Sequence, residues 1–200
     1  MPRLSEKTRA ERRQHILTSA WKCFSRNGFH ATSMDDVITE TGMSSSAVYR
    51  YFRSKDEIID TTTEEGLTNV RAMIAGILDR NPSPAETLVL ITAELDRKTG
   101  HPDLDMTRIG LQAWAEALRN PRLLGRARAI FSDTLGLLDE LAQRWRDAGH
   151  LPADADTRAA AATLLSLMHG LIVMHHLVED VPANTLHTGL TLLGTGLSHR

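Results

Sequence analysis

The chain has 200 residues, 42% of them hydrophobic and 24% charged, enough to bury one or two cores of ordinary size. A net charge of −2 excludes a strongly basic or acidic chain overall, and a single cysteine, Cys23, excludes an internal disulfide framework and suits a reducing, cytoplasmic setting. The charge is uneven: through Asp56 there are 10 Lys+Arg against 6 Asp+Glu, and afterwards 13 against 19, so the two parts stand at +4 and −6. Such asymmetry fits a nucleic-acid reader joined to a part that does not touch DNA, and also a merely solvated charged helix face.

In chain order, Arg3, Lys7, Arg9, Arg12 and Arg13 with two glutamates and no apolar run exclude a secretory signal in residues 3–13. Cys23 lies on the apolar side of the first helix and is read as a core residue. The stretch Thr32–Lys55, TSMDDVITETGMSSSAVYRYFRSK, then reads as two short helices joined by a glycine turn and followed at once by a further helix start. Ser33 or Thr32 can cap the first of them, with Asp35 and Asp36 at the positive end of its dipole and Val37 and Ile38 on its buried side. Gly42 stands where the chain must turn sharply, and Ser44 is placed to cap the next helix. Within that helix Ala47, Val48 and Phe52 pack inward, which leaves Ser45, Ser46, Tyr49 and Arg50 facing elsewhere.

Beyond it no segment alternates like a strand. Ser54 with Glu57 makes a capping box that opens a long helix to about Arg80, with Ile58, Ile59, Leu67, Val70, Met73, Ile74, Ile77 and Leu78 on its apolar side. Further helices are predicted at Ala85–Lys98, Asp105–Leu118, Arg122–Ala148, Asp156–Val178 and Thr185–Leu197. Ala159–Val178 is long enough to span a membrane, yet Ser166, His169, His175 and His176 interrupt it, so burial between subunits is the better reading. Leu186, Leu190, Leu193 and Leu197 form a narrow seam in the last helix. Together these two helices read as half of a four-helix dimer interface.

The residues Arg13-Gln14-His15-Ile16-Leu17, Ala20-Trp21-Lys22-Cys23-Phe24, Asn27-Gly28-Phe29 and Ala31-Thr32-Ser33 resemble the first helix, and the entry to the second, of TetR-type bacterial transcriptional regulators. Gly42-Met43-Ser44, Val48-Tyr49-Arg50-Tyr51-Phe52 and Ser54-Lys55-Asp56-Glu57 resemble that family's recognition helix and the start of its fourth helix. Ile38 departs from the pattern, standing where the family usually keeps a small alanine facing the recognition helix. The resemblance implies an all-α fold: an N-terminal helix-turn-helix DNA-binding domain in residues 1–53 and a C-terminal helical ligand-binding and dimerisation domain in 54–200. It implies a cytoplasmic homodimer, joined through the last two helices, that represses from a palindromic operator and is released by a small apolar or amphipathic ligand.

Phosphate contacts position a DNA reader and base contacts give it sequence preference. Ser45, Ser46, Tyr49 and Arg50 are the candidates for bases or adjacent backbone, and Arg50 alone among them has the fork for a bidentate contact with guanine. Thr32, Ser33, Ser44, Tyr51 and Lys55 are candidate phosphate holders or caps, and loss of Lys55 is expected to flatten the salt dependence of binding by about one unit of slope. Candidate ligand-lining residues are Met106, Trp114, Phe131, Trp145, Met168, His169 and Met174, each of which also reads as plain core. His169, His175 and His176 lack the three- or four-residue step of helical metal ligands, so no metal and no cofactor are expected. No G-x-S-x-G, H-E-x-x-H, P-loop or dinucleotide motif occurs, which argues against an enzyme. A helical protein–protein interaction module that never meets DNA is the alternative.

Overall fold

The computed structural model describes residues 5–99, 104–178 and 188–189, and among these every regular element is an α-helix. In order they are α1 (Glu6–Ala31), α2 (Met34–Thr41), α3 (Ser45–Tyr49), α4 (Lys55–Asp79), α5 (Pro84–Thr99), α6 (Met106–Arg119), α7 (Pro121–Asp147) and α8 (Thr157–Leu177). The predicted helices lie within a residue or two of these, because their punctuation acts physically. The Asp105 carboxylate accepts from Thr107 N–H and Arg108 N–H to start α6, and the Asp156 carboxylate accepts from Ala159 N–H to start α8. Asn81, at φ 46°, turns the chain out of α4. The predicted helix Thr185–Leu197, with its leucine seam, lies outside the described residues except for Thr188 and Gly189, both helical.

The described residues form two compact units, the first from the segments Met1–Leu67 and Thr99–Ala127, the second from Thr68–Lys98 and Arg128–Arg200. In the first, Ile16, Leu17, Ala20, Cys23 and Phe24 recur along one stripe of α1 and meet Val37 of α2, Val48 of α3, Phe52, Ile58 of α4 and Ile109 of α6 in one buried cluster. Phe24 and Phe52 are fully buried there, and Phe24 meets Phe29 edge to face with centroids 4.8 Å apart. Cys23 is a core residue, as read, its thiol pushed above the ordinary value by burial and drawn partly back by the Arg26 guanidinium. Ile38 sits half-buried against the same cluster, so its extra bulk is accommodated.

The second unit packs Ile74, Ile77 and Leu78 of α4 with Ile91 of α5, Leu138, Leu141 and Trp145 of α7, and Leu164, Met168 and Leu171 of α8. The Trp145 indole N–H donates to the Pro82 carbonyl at 2.7 Å, and an Arg144 guanidinium N–H donates to the Leu78 carbonyl at 3.0 Å, so α7 closes the end of α4. On α8 the buried side is Thr157, Ala161, Leu164, Met168 and Leu171. Its other side, from Ala162 through Ser166, Gly170, Val173 and Met174 to Leu177, is exposed and carries no formal charge.

Candidate nucleic-acid interface

The α2–α3 segment is built from caps. The Ser33 hydroxyl accepts from Asp36 N–H at 3.1 Å, and the Asp36 carboxylate accepts from Ser33 N–H at 2.7 Å, a reciprocal box that starts α2. Those donors, the backbone N–H first and the Ser33 hydroxyl second, hold the Asp36 carboxyl below the ordinary carboxylate value. At the other end Gly42 takes φ 64°, a left-handed cap that a side chain would strain, and its N–H donates to the Thr39 carbonyl. The Thr41 hydroxyl donates to the Ile38 carbonyl at 2.7 Å and accepts from Met43 N–H at 3.1 Å, which fixes the turn from within.

Two capping expectations are corrected. Ser44 occupies the N-cap of α3, but its hydroxyl makes no bond to the helix backbone and lies 3.3 Å from the Ser46 hydroxyl instead. Ser54 does cap α4, accepting from Glu57 N–H at 3.2 Å, whereas the Glu57 carboxylate accepts from Arg53 N–H at 2.7 Å and does not complete the box on Ser54. Glu57 thus bonds one residue before the expected partner, and Ser44 meets the side chain of Ser46 and not a backbone N–H.

The resulting surface carries Ser44, Ser45, Ser46, Tyr49 and Arg50 exposed on one short helix and its start, with Ser33 exposed at the head of α2. Val48 and Phe52 anchor that helix from beneath, Ala47 is half-buried, and Tyr51 is half-buried against the core. Thr32 and Lys55 are placed differently. Thr32 is 1% exposed and its hydroxyl donates to the Gly28 carbonyl at 2.8 Å, so it terminates α1. The Lys55 ammonium donates to the carbonyls of Phe29, His30 and Thr32 at 3.0, 3.3 and 2.9 Å. Three donors on three acceptors use the whole ammonium, which ties the start of α4 to the orphan carbonyls at the end of α1.

Neighbouring charges are partly consumed in the same way. Arg26 pairs with Glu40 at 2.6 Å, and that hydrogen bond, ahead of every other influence, holds the Glu40 carboxyl below its ordinary value. The Arg13 guanidinium lies 4.9 Å from the Phe52 ring centroid and 3.6 Å from the Glu65 carboxylate. Arg50 and Arg53 remain exposed beyond these pairs.

Sequence reasoning missed two residues that build this region. The His15 ring reaches the Thr41 carbonyl at 2.9 Å, and Gln112 of α6 bonds to both Phe24 and Phe29 of α1. Both are long-range contacts between a side chain and the backbone, which leave no periodic trace in a sequence. The predicted ligand-lining residues are divided. Met106 and Trp114 fall in the first unit, and Phe131, Trp145, Met168, His169 and Met174 in the second. There Phe131 and His169 meet edge to face at 5.1 Å, Met168 is core, and Met174 is exposed on α8. Among the described residues no group of three or more His, Cys, Asp or Glu side chains is arranged to hold a metal ion.

A short capped helix, a glycine turn and a second short helix showing hydroxyls, a phenol and a guanidinium define a helix-turn-helix DNA-binding regulator. Residues 16–62 match the model of the bacterial regulatory proteins of the tetR family, and residues 84–192 match that of the C-terminal part of BetI-type transcriptional repressors. The chain belongs to the TetR family. The transcriptional regulator UidR of Escherichia coli K12 is 28% identical over 167 residues, 80% of this chain and 79% of that protein. The structure of Salmonella enterica GusR is similar with a TM-score of 0.62 at 25% identity, covering 96% of this chain and 98% of that one. Bacillus subtilis FadR, solved in complex with stearoyl-CoA, shares the fold with a TM-score of 0.68 at 16% identity, over 90% of this chain and 96% of its own. The protein is a TetR-family DNA-binding transcriptional repressor.

Proposed function

We propose that the chain acts as a homodimer on a palindromic operator, with residues 1–53 presenting α3 to the major groove and residues 54–200 dimerising and receiving a small apolar or amphipathic effector. The observation that carries this reading is the outward side of α8. An 18-residue window of that helix has a mean hydropathy of 1.4, yet only 22% of it is buried within one chain. Ser166, His169, His175 and His176 make lipid a costly cover for it, whereas a second copy related by a twofold axis buries the same charge-free face on both sides. A twofold dimer sets its two recognition helices against inverted half-sites, hence the palindrome. Thr185–Leu197, the other helix expected at the interface, lies outside the described residues apart from Thr188 and Gly189.

The proposed DNA contacts are Ser45, Ser46, Tyr49 and Arg50 toward the groove and Ser33, Ser44 and Tyr51 toward phosphates, with Thr32 and Lys55 acting from inside by holding the end of α1. The effector, with Phe131 and His169 among its proposed contacts, need only bind better to a dimer whose recognition helices no longer fit both half-sites, and linkage then makes ligand and DNA antagonists. The setting is the cytoplasm, where the operator lies.

Selection of bound duplexes from a random pool, followed by sequencing and binding at rising salt, tests the reading. An enriched inverted repeat is the expected result. Salt-sensitive binding without an enriched motif would remove the operator, and no binding at all would favour the interaction-module alternative.

A further inference from the structure

We propose that the groove between the N-terminal half of α1 and the α2–α3 turn is a further DNA-backbone site, which seats one phosphate against Arg12 while His15 fixes its wall. This rests on the reading of α3 as the helix that enters the major groove. The groove is shallow and open to solvent, with a volume of about 520 Å³, and is lined by Thr8, Glu11, Arg12 and His15 from α1, by Met43 and Ser44 from the turn and by Ala47 of α3. The four α1 residues fall at i, i+3, i+4 and i+7, so they share one helix face.

Its opposite wall is held in place. A carbonyl only accepts, so the His15 Nε2 that lies 2.9 Å from the Thr41 carbonyl carries the hydrogen. Thr41 ends α2, and its hydroxyl is already bonded to the Ile38 carbonyl and Met43 N–H, so the turn is fixed from both sides. Ser44, whose hydroxyl does not cap α3, is at once part of this groove and the start of the exposed helix bearing Tyr49 and Arg50. A strand backbone lying along that helix passes over the groove.

Arg12 supplies the charge. Its neighbour Arg13 is committed to Phe52, Thr61 and Glu65, whereas Arg12 has no ion pair or side-chain hydrogen bond among the described residues. A planar guanidinium with free donors matches the oxygens of a phosphodiester. Glu11 is the one carboxylate in the lining, and it opposes an anion, so it tempers the site. No other lysine, arginine, aspartate or glutamate lines the groove.

The test measures wild-type and variant binding to the duplex enriched from the random pool, across a range of salt, with circular dichroism verifying the fold. Arg12→Gln should weaken binding to all sequences alike and lower the salt slope by about one unit, leaving base preference intact. Arg12→Lys should keep the slope. Glu11→Gln should tighten binding. His15→Gln, which retains an N–H donor, should bind as wild type, while His15→Ala should weaken binding. Added inorganic phosphate at constant ionic strength should not restore the slope lost in Arg12→Gln, since the occupant is a backbone phosphate and not the free ion. An unchanged slope in Arg12→Gln, or weaker binding by Glu11→Gln, overturns the groove site while leaving the recognition helix untouched. A wild-type chain that binds no duplex overturns both.

Discussion

The Gln112 side chain closes the break that Gly28 opens in α1: its Oε1 accepts from Phe29 N–H at 2.7 Å, across 83 residues of chain. Gly28 takes φ 82° and ψ 165°, a conformation open almost only to glycine, and the turn it makes deprives Phe29 N–H of its partner within the helix. The same amide donates from Nε2 to the Phe24 carbonyl at 3.2 Å, so one side chain satisfies a donor and an acceptor on either side of the break. Asp105 N–H, at the head of α6, donates to the Ser25 hydroxyl at 3.0 Å and adds a second tie between the same two helices.

Gln112→Ala is therefore expected to cost about 1–3 kcal/mol, the penalty for stranding backbone groups that water reaches poorly. Gln112→Glu keeps an acceptor for Phe29 and loses the donor for Phe24, and should fall between alanine and wild type. Gly28→Ala should cost about 1–3 kcal/mol through its backbone angle alone, since a new Cβ would stand 3.4 Å from the Gln112 Oε1, an ordinary contact. Urea unfolding of the three variants orders them, and an alanine variant as stable as wild type removes the bridge from the account.

Lys55 calls for two measurements on one variant. Because its ammonium donates to three carbonyls at the end of α1, Lys55→Ala should lower stability by about 1–3 kcal/mol. Its salt slope for DNA should match wild type, since a fully engaged ammonium gains no phosphate to lose. A slope lower by one unit with unchanged stability would return Lys55 to the DNA surface.

Acid should weaken the DNA-binding unit in a definite window. Asp36 and Glu40 have folded pKa values depressed by the Ser33 donors and by Arg26 respectively. A carboxylate depressed in the folded state contributes stability that is complete above its unfolded value, about 4, and is lost as pH falls through the folded value. The urea midpoint should hold between about pH 7 and 5 and fall below about pH 4. The Asp36→Asn, Glu40→Gln double variant should start lower and fall less steeply, and equal slopes in the two proteins would assign the acid response to other groups.

Much of this architecture was legible in local spacing. Ser33 with Asp36, Gly42 and the inward pair Val48 and Phe52 act over one or two turns, where sequence separation and spatial separation agree. The roles of Gln112, His15 and Lys55 were not legible, because each joins a side chain to a backbone group on a distant helix, and no periodicity encodes that pairing. Thr32 and Lys55 read as surface phosphate holders since a hydroxyl and a cation beside a helix start look alike whether they face solvent or a neighbouring helix end. What separates the two is the set of carbonyls at the end of α1, which Thr32 and Lys55 bond.

Arg50 is exposed at the end of α3, with no acidic partner among the described residues. If it reads guanine in a bidentate fashion, Arg50→Ala should cost about 1–3 kcal/mol on the selected operator and flatten preference at one base position per half-site. The check is a set of single-base operator variants titrated with both proteins. A uniform loss over the whole set would make Arg50 a backbone contact.

The outward side of α8 gives the sharpest prediction about assembly. Gly170 has open space where a Cβ would stand, and Ser166 and Met174 flank it one turn away on the same exposed face. Within a single chain, a glutamate in place of Ser166 meets only solvent and should change monomer stability little. Across the proposed twofold interface each such carboxylate would be buried without a partner, a penalty of roughly several kcal/mol. Sedimentation of Ser166→Glu should therefore give monomer where wild type gives dimer. Binding to a full palindrome should weaken far more than binding to a half-site, because the gain from joining two readers is lost. A variant that remains dimeric places the contact between copies elsewhere than on α8.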